Sequence, residues 1–278
     1  MVNEQFTVIS FYIVAHADDW QLFMQPNVYK DLVTTGSKVV FIITTAGDAG
    51  AEETYWAARE EGLKSSLRFC LAPLAGLKES SGTKKFNFHT INYGLINNAT
   101  CYFLRLPDGN LDGSGFQARN FHSLARLRSG AINTATALDD SAAYAGWTDL
   151  YTTLQTIISD ESRGIPNVWV NYLNPDTGKN PNDHSDHIAT GQAVQAMGAI
   201  PGLHHALFVG YSLSNALENL NGTDLFWKAG MFSAYEKTVF DRSGYSTLQE
   251  NISTYLAWCL SSAKFTTANP TDCDTMPG

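Results

Sequence analysis

The sequence predicts an α/β fold: a three-layer sandwich in which helices cover both faces of a mostly parallel central sheet. Three observations carry this expectation. Over the first 75 residues strand and helix signals alternate. The strand signals are continuous apolar, β-branched runs, as expected where both faces of a strand are buried. The polar, chemistry-bearing residues fall directly after those runs, at the carboxyl ends of strands, where open α/β sheets bind ligands.

Taken in order, Thr7 to Ala15 (TVISFYIVA) reads as a central strand. A polar turn from His16 to Asp19 leads into a helix from about Trp20 to Thr35, with Pro26 as a kink or break and Gly36 as its stop. Lys38 to Thr45 (KVVFIITT) is a second buried strand. The glycine-bearing turn from Ala46 to Gly50 and a helix from about Glu52 to Leu71 follow it. Lys84 to Tyr93 and Cys101 to Leu106 read as strands, the second closed by the turn signal Pro107-Asp108-Gly109. The segment 110–146, rich in Gly, Ser, Ala and Asn, is expected to be an insertion or lid near the site. The α/β rhythm then resumes with a helix near Thr148 to Asp160, a strand from Asn167 to Leu173 and a helix from His184 to about Met197. A strand from Ala206 to Tyr211 and helices near Leu225 to Phe240 and Ser246 to Ser261 complete the chain. No internal repeat or low-complexity tract interrupts this order, so 1–278 is read as one domain.

Composition narrows the partners. A net charge of -9 disfavours phosphate backbones and anionic membranes, which leaves a neutral or cationic small molecule as the expected ligand. The longest apolar run is about half of the ~20 residues that span a bilayer, so no membrane span is expected. Glu4 precedes that run where a signal peptide would be basic. The compartment stays open between cytoplasmic and secreted. A charged fraction of 16%, sequons at Asn98, Asn221 and Asn251, and a conceivable Cys259/Cys273 disulfide hint at secretion. Neither these two cysteines nor Cys70 and Cys101 show C-x-x-C spacing, which argues against a cysteine zinc site. Oligomeric state cannot be read from the sequence.

Two histidine and carboxylate clusters follow strands: His16-Ala-Asp18-Asp19 after the first and His184-Ser-Asp186-His187 after the Asn167 strand. Either alone has an ordinary explanation, a helix N-cap or a satisfied surface histidine. Together, at equivalent ends of one sheet, they offer a metal site. His16 and Asp19, at i and i+3, face one side, and His187 supplies a third ligand. Two imidazoles, one carboxylate and an open fourth position describe a catalytic zinc site, one Zn2+ per chain, although other divalent transition metals suit the same ligands. The open position implies a metal-activated water. Asp18 is then the candidate base, His184 the acid or oxyanion donor, and Asp186 the residue that orients a histidine.

These motifs resemble those of the PIG-L (LmbE-like) family of zinc-dependent N-acetylglucosaminyl deacetylases. His16-Ala-Asp-Asp19 is similar to its A-H-P-D-D motif and His184-Ser-Asp-His187 to its H-x-D-H motif. Thr44 to Gly50 resembles its T-x-G-x-x-G turn, Arg59-Glu60 falls where its R-x-x-E-type helix lies, and Leu106 to Gly109 resembles its D-G turn. The resemblance covers about the first 110 residues and 165–200. It implies a Rossmann-like fold and an N-acetylated substrate, a sugar by the family's habit. It also implies that His16, Asp19 and His187 bind zinc, that Asp18 is the base, that His184 is the acid or oxyanion donor, and that Asp108 contacts substrate. Gly47 of the glycine turn and Trp20 are further expected substrate neighbours. Trp20 stands where the family has an acidic residue, and with Tyr55 and Trp56 it is a candidate for stacking on a sugar, though such aromatics are more often core. Ala17 replaces the family's proline and leaves every ligand intact. The 110–146 segment and everything after about 200 match nothing in the family.

Three other readings compete. The same residues serve a zinc amidase or acylase acting on a non-sugar amide. A catalytically silent metal-containing binding protein would keep the site without turnover, but such proteins commonly lose one member of the set. A nucleotide-binding protein built on the Gly47 to Gly50 turn lacks both G-x-G-x-x-G spacing and a P-loop lysine.

Overall fold

The computed structural model describes residues 6–198, 200 and 202–267. Strand β1 (Val8–Val14) leads through two short helices, α1 (Asp19–Phe23) and α2 (Asn27–Val33), to β2 (Ser37–Thr45) and the long α3 (Glu53–Ala75). Next come β3 (Glu79–Phe86), β4 (His89–Ile96), β5 (Ala99–Leu106), α4 (Leu124–Ser129), the two-residue strands β6 (Ala135–Thr136) and β7 (Ala143–Tyr144), and α5 (Trp147–Glu161). The remainder is β8 (Asn167–Leu173), α6 (Ser185–Ala196), β9 (Leu203–Phe208), α7 (Gly222–Ser243), α8 (Leu248–Leu260) and β10 (Lys264–Thr267).

Eight strands form one sheet in the order β10-β9-β8-β1-β2-β5-β4-β3. The run from β9 to β5 is parallel, and β10, β4 and β3 add antiparallel edges. Alternation along β1 sends Ile9, Phe11 and Ile13 to one core and Tyr12 and Val14 to another, on opposite faces of the sheet. The Tyr12 face packs against α1, α2, α3, α7 and α8 through Trp20, Leu32, Leu67, Tyr235 and Trp258. The Ile9 face packs against α4, α5 and α6 through Leu127, Ile157 and Ala193. The expected three-layer, mostly parallel sandwich is the observed fold.

Some elements differ from the sequence reading for identifiable reasons. The helix expected over Trp20 to Thr35 is two helices, separated at the cis Gln25-Pro26 peptide. The single strand expected over Lys84 to Tyr93 is a hairpin, because Asn87 and Phe88 turn the chain with φ of 46° and 69°. Asn-Gly is the usual marker of such a turn, and a phenylalanine in the glycine position conceals it. The strand expected over Ala206 to Tyr211 runs from Leu203 to Phe208, and β10 had no counterpart in the sequence reading. Segment 110–146 holds α4 and the β6–β7 ladder, with Leu124, Leu127, Ala135 and Tyr144 buried in the core of the Ile9 face. No described helix is long and apolar enough to cross a membrane. Cys259 is buried, and Cys273 lies outside the described residues. At the first sequon the Asn98 side-chain amide donates to the carbonyls of Leu32 and Ser37, both at 3.1 Å.

One buried carboxylate ties a helix to three strands. Glu161, the last residue of α5, accepts from Lys38 of β2 at 2.6 Å, from Lys84 of β3 at 2.7 Å and from the Tyr102 hydroxyl of β5 at 2.6 Å. Burial opposes its charge, but the two ammonium groups and the phenol outweigh burial and hold its carboxyl down at about 2. A depressed folded value means stability that is present above the unfolded value and lost as pH falls towards the folded one. Glu161→Gln is therefore expected to cost about 1–3 kcal/mol at pH 7, allowing for solvent screening. Measured by thermal unfolding against pH, that cost should shrink between about pH 4.5 and about pH 2; a pH-independent difference would contradict the ion-pair account.

Candidate metal and catalytic site

Each parallel strand delivers residues to one edge of the sheet. β1 is followed by His16, Asp18 and Asp19, β2 by the glycine turn and α3, β5 by Asp108, β8 by the loop to His184, and β9 by Tyr211. The connection after β1 passes to the Tyr12 face and that after β8 to the Ile9 face. A crevice opens where the two diverge, at the topological switch point of the sheet. A cavity of about 130 Å³ lies there, lined by His16, Asp18, Asp19, Leu22, Phe23, Tyr55, Arg59, Asp108, His184, Tyr211, Thr247, Tyr255 and Trp258.

Both sequence clusters meet at this point. His16 Nδ1 lies 3.2 Å from His187 Nε2 and 3.5 Å from Asp19 Oδ1, and His187 Nε2 lies 3.1 Å from Asp19 Oδ1. Three donors on a tetrahedral zinc with bonds near 2.0–2.1 Å are about 3.3 Å apart, so spacing and donor types both fit one such ion. The remaining polar side-chain atoms of Asp19 and His187 are fixed. Asp19 Oδ2 accepts the His16 backbone N–H at 2.8 Å, and His187 Nδ1 pairs with Asp183 Oδ1 at 2.8 Å, which leaves Nε2 free to ligate. A carboxylate behind a histidine ligand sets its tautomer and raises its basicity.

The electrostatics agree. Burial opposes charge on His16, but Asp19, Asp186 and Asp108 outweigh it and raise the ring to about 10. His187 is likewise buried, yet Asp19 and Asp183 hold it well above its ordinary value. Asp19 is held well below the usual carboxylate range by His187 and His16, against the penalty of burial. The carboxylates of Asp19, Asp108, Asp183 and Asp186 around these two rings make this a pocket that favours positive charge.

The other predicted residues take distinct places. Asp18 stands at the N-cap position of α1 with its side chain turned to the cavity rather than to the helix amides, ion-paired to the Arg59 guanidinium. Arg59 also donates to the Gly47 carbonyl at 2.6 Å and to the Tyr235 hydroxyl at 2.8 Å. His184 caps α6: its Nδ1 accepts the Asp186 backbone N–H at 3.1 Å, so the neutral ring carries its hydrogen on Nε2. Burial, then the neighbouring His16 and His187, push His184 far down, towards that neutral form. Asp186 Oδ2 accepts the Gly109 N–H at 2.8 Å and lies 3.6 Å from His16 Nε2, a ring nitrogen that has no hydrogen-bond partner among the described residues and stands 3.8 Å from Asp108 Oδ2. Asp108 lines the cavity 3.8 Å from His184 Nε2. A Cβ on Gly109 would stand 2.4 Å from Asp186 Oδ1, so the D-G turn needs its glycine for close approach.

Two expected substrate neighbours are elsewhere. Trp20 is fully buried in the core with its ring 4.9 Å from that of Phe41, because it stands one position after Asp19 and so about 100° further round α1. Gly47 does not line the cavity; its φ of +59° and the Arg59 guanidinium 2.5 Å from a would-be Cβ make it a support for Arg59. Among the candidate aromatics Trp56 is buried beneath the Arg105 guanidinium, 4.9 Å from its ring, and Tyr55 alone reaches the cavity.

Several residues had not been singled out. Asp183 has a faint signal, a carboxylate four residues before His187. Asp48 is fully buried, accepts the Asp108 N–H at 2.9 Å and pairs with Arg119 at 2.7 Å, joining two strand-end turns. Tyr211, Thr247, Tyr255 and Trp258 wall the cavity from the last third of the chain, where they read only as parts of a strand end and an amphipathic helix.

No curated protein matches this sequence. Among solved structures the chain is similar to the N,N'-diacetylchitobiose deacetylase from Pyrococcus horikoshii complexed with its inhibitor MPG, at 15% identity and a TM-score of 0.40, over 87% of this chain and 77% of that one. The model of the PIG-L family, described as GlcNAc-PI de-N-acetylase, matches residues 11–197, which contain every histidine and carboxylate of the site. With well over half of its length matched in this way, the chain belongs to the PIG-L family.

Proposed function

We propose that this chain is a metal-dependent hydrolase that removes the acetyl group from an N-acetylated amino sugar or sugar-containing metabolite. The observation that carries the reading is the triangle of His16 Nδ1, Asp19 Oδ1 and His187 Nε2, with edges of 3.1–3.5 Å, at the floor of a cavity also lined by Asp18 and His184. Family membership supports the reaction class.

His16, Asp19 and His187 would hold the ion, with Asp183 fixing the His187 ring behind it. The chemistry that a zinc ion supplies in such a site is Lewis acidity, which polarises a carbonyl and brings the pKa of a water to roughly 7. Arg59 engages one oxygen of Asp18 and leaves the other for a proton. Asp18 takes that proton as the water oxygen bonds to the amide carbon. It returns the proton to the nitrogen as the C–N bond breaks, giving acetate and a free amine. His184 presents Nε2–H to the oxygen that gains charge, because its Nδ1 is occupied by the Asp186 N–H. Asp186 faces His16 Nε2 and keeps that ring oriented towards Asp19 and His187.

Three outcomes test this. Acetate release from a panel of N-acetylated sugars should cease on chelation and return with zinc; a zinc-loaded protein that releases no acetate from any of them would contradict the sugar reading. Asp18→Asn should retain the metal by elemental analysis while losing about 10²–10⁴-fold in kcat, whereas His187→Ala should lose metal and turnover together. Retained metal in His187→Ala would overturn the ligand assignment. Asp183→Asn should weaken metal affinity about 10–100-fold in competition with a chelating dye, and unchanged affinity would remove Asp183 from the site.

A further inference from the structure

The cavity has an aromatic rim that amide hydrolysis does not require. Tyr55, Tyr211 and Tyr255 line it, and each is only half-buried, so part of each ring stays open to the cavity. They come from α3, from the turn after β9 and from α8.

Tyr211 and Tyr255 are held by packing. The Trp258 ring stacks on Tyr211 at 5.0 Å and 26°, meets Tyr255 edge-on at 5.0 Å, and its indole N–H donates to the Tyr211 carbonyl at 3.0 Å. Phe232 backs Tyr255 at 5.5 Å and 7°, and Phe23 backs Trp258 at 5.2 Å. Tyr211 is also joined to the ligand set, since its backbone N–H donates at 3.1 Å to Asp183 Oδ1, the oxygen that pairs with His187. Flat apolar faces thus stand in the same cavity as the acceptor Asp108. A pyranose matches that combination, with one face of C–H groups for the rings and a hydroxyl for the carboxylate. An acyclic acetamide offers no such face. Tyr211, Tyr255 and Trp258 all lie beyond residue 197, where the family match ends, so of this rim only Tyr55 falls within the part of the chain that the family frame covers.

We infer that Tyr55, Tyr211 and Tyr255 form a subsite for the pyranose ring that carries the acetamido group, and that this collar selects cyclic amino sugars over acyclic acetamides. The inference rests on the deacetylase reading above and adds the residues that read the ring. The test compares zinc-loaded wild type, Tyr255→Ala and Tyr255→Phe on the methyl glycoside of N-acetylglucosamine and on N-acetylethanolamine, with thermal unfolding as the check on folding. Wild type should prefer the glycoside in kcat/KM. Tyr255→Ala should reduce the ratio of the two kcat/KM values roughly tenfold, mainly through KM of the glycoside, and Tyr255→Phe should preserve it. A ratio unchanged in Tyr255→Ala, or reduced equally in Tyr255→Phe, overturns the subsite while leaving deacetylation intact. If wild type hydrolyses neither compound, calorimetry decides the subsite, and the deacetylase reading is left to the wider panel above. Glycoside binding that Tyr255→Ala loses and Tyr255→Phe keeps supports it, and no binding to wild type overturns it.

Discussion

Hydrogen bonding of β1 between β8 and β2 in parallel register aligns Ile13 with Tyr172 on one side and with Ile42 on the other, so that three strands end together. The chain leaving β1 then turns to the Tyr12 face and the chain leaving β8 to the Ile9 face. The first polar residues of the two departing connections line the gap between them, and α3, α8 and the turns after β5 and β9 wall it. His16 and Asp19 on one side, and His187 on the other, are 168 or more residues apart in sequence and about 3 Å apart in space. The meeting of His16, Asp19 and His187 depends on that divergence.

Six carboxylates, those of Asp18, Asp19, Asp48, Asp108, Asp183 and Asp186, are buried around the gap. Buried charge is tolerated where it is paired and hydrogen-bonded. Arg59 pairs with Asp18 and Arg119 with Asp48, and backbone N–H groups of His16, Asp108 and Gly109 donate to Asp19, Asp48 and Asp186. The same bonds position the side chains, so the electrostatic cost of the cluster and the order of the site have one solution. Asp183 is the clearest example, since one oxygen fixes the His187 ring and also receives the Tyr211 N–H. Through it the metal triangle and the aromatic rim share a support.

Catalytic frame and substrate wall therefore come from different parts of the chain. The frame lies within residues 11–197, which match the family, and the wall is largely α8 and the turn after β9. Tyr255 and Trp258 reach the cavity because α7 and α8 fold back over the Tyr12 face, where Tyr235 of α7 also accepts from Arg59. A helix that both buries an apolar stripe and presents a ring at a pocket mouth can change substrate without disturbing the ligands below it.

The sequence by itself determined the layer architecture, since VISFYIV and SKVVFIITT are apolar on both faces and only a doubly covered sheet buries such strands. It also determined the two ligand clusters, because a strand end followed by a helix entry is a local arrangement that short spacing encodes. The split of α1 from α2 was legible in Pro26, but the β3–β4 hairpin was not, as Phe88 occupies a left-handed position that normally advertises itself with glycine. Tertiary structure alone decided what the isolated residues do. Trp20 directly follows Asp19 and yet packs into the core, Gly47 lets the Arg59 guanidinium and the His16 ring approach closely, and Tyr211, Tyr255 and Trp258 converge on the cavity from segments with no motif at all. The physical reason is separation: contacts within one turn are fixed by backbone geometry that a few residues specify, whereas the walls of a cavity are fixed by how whole helices pack.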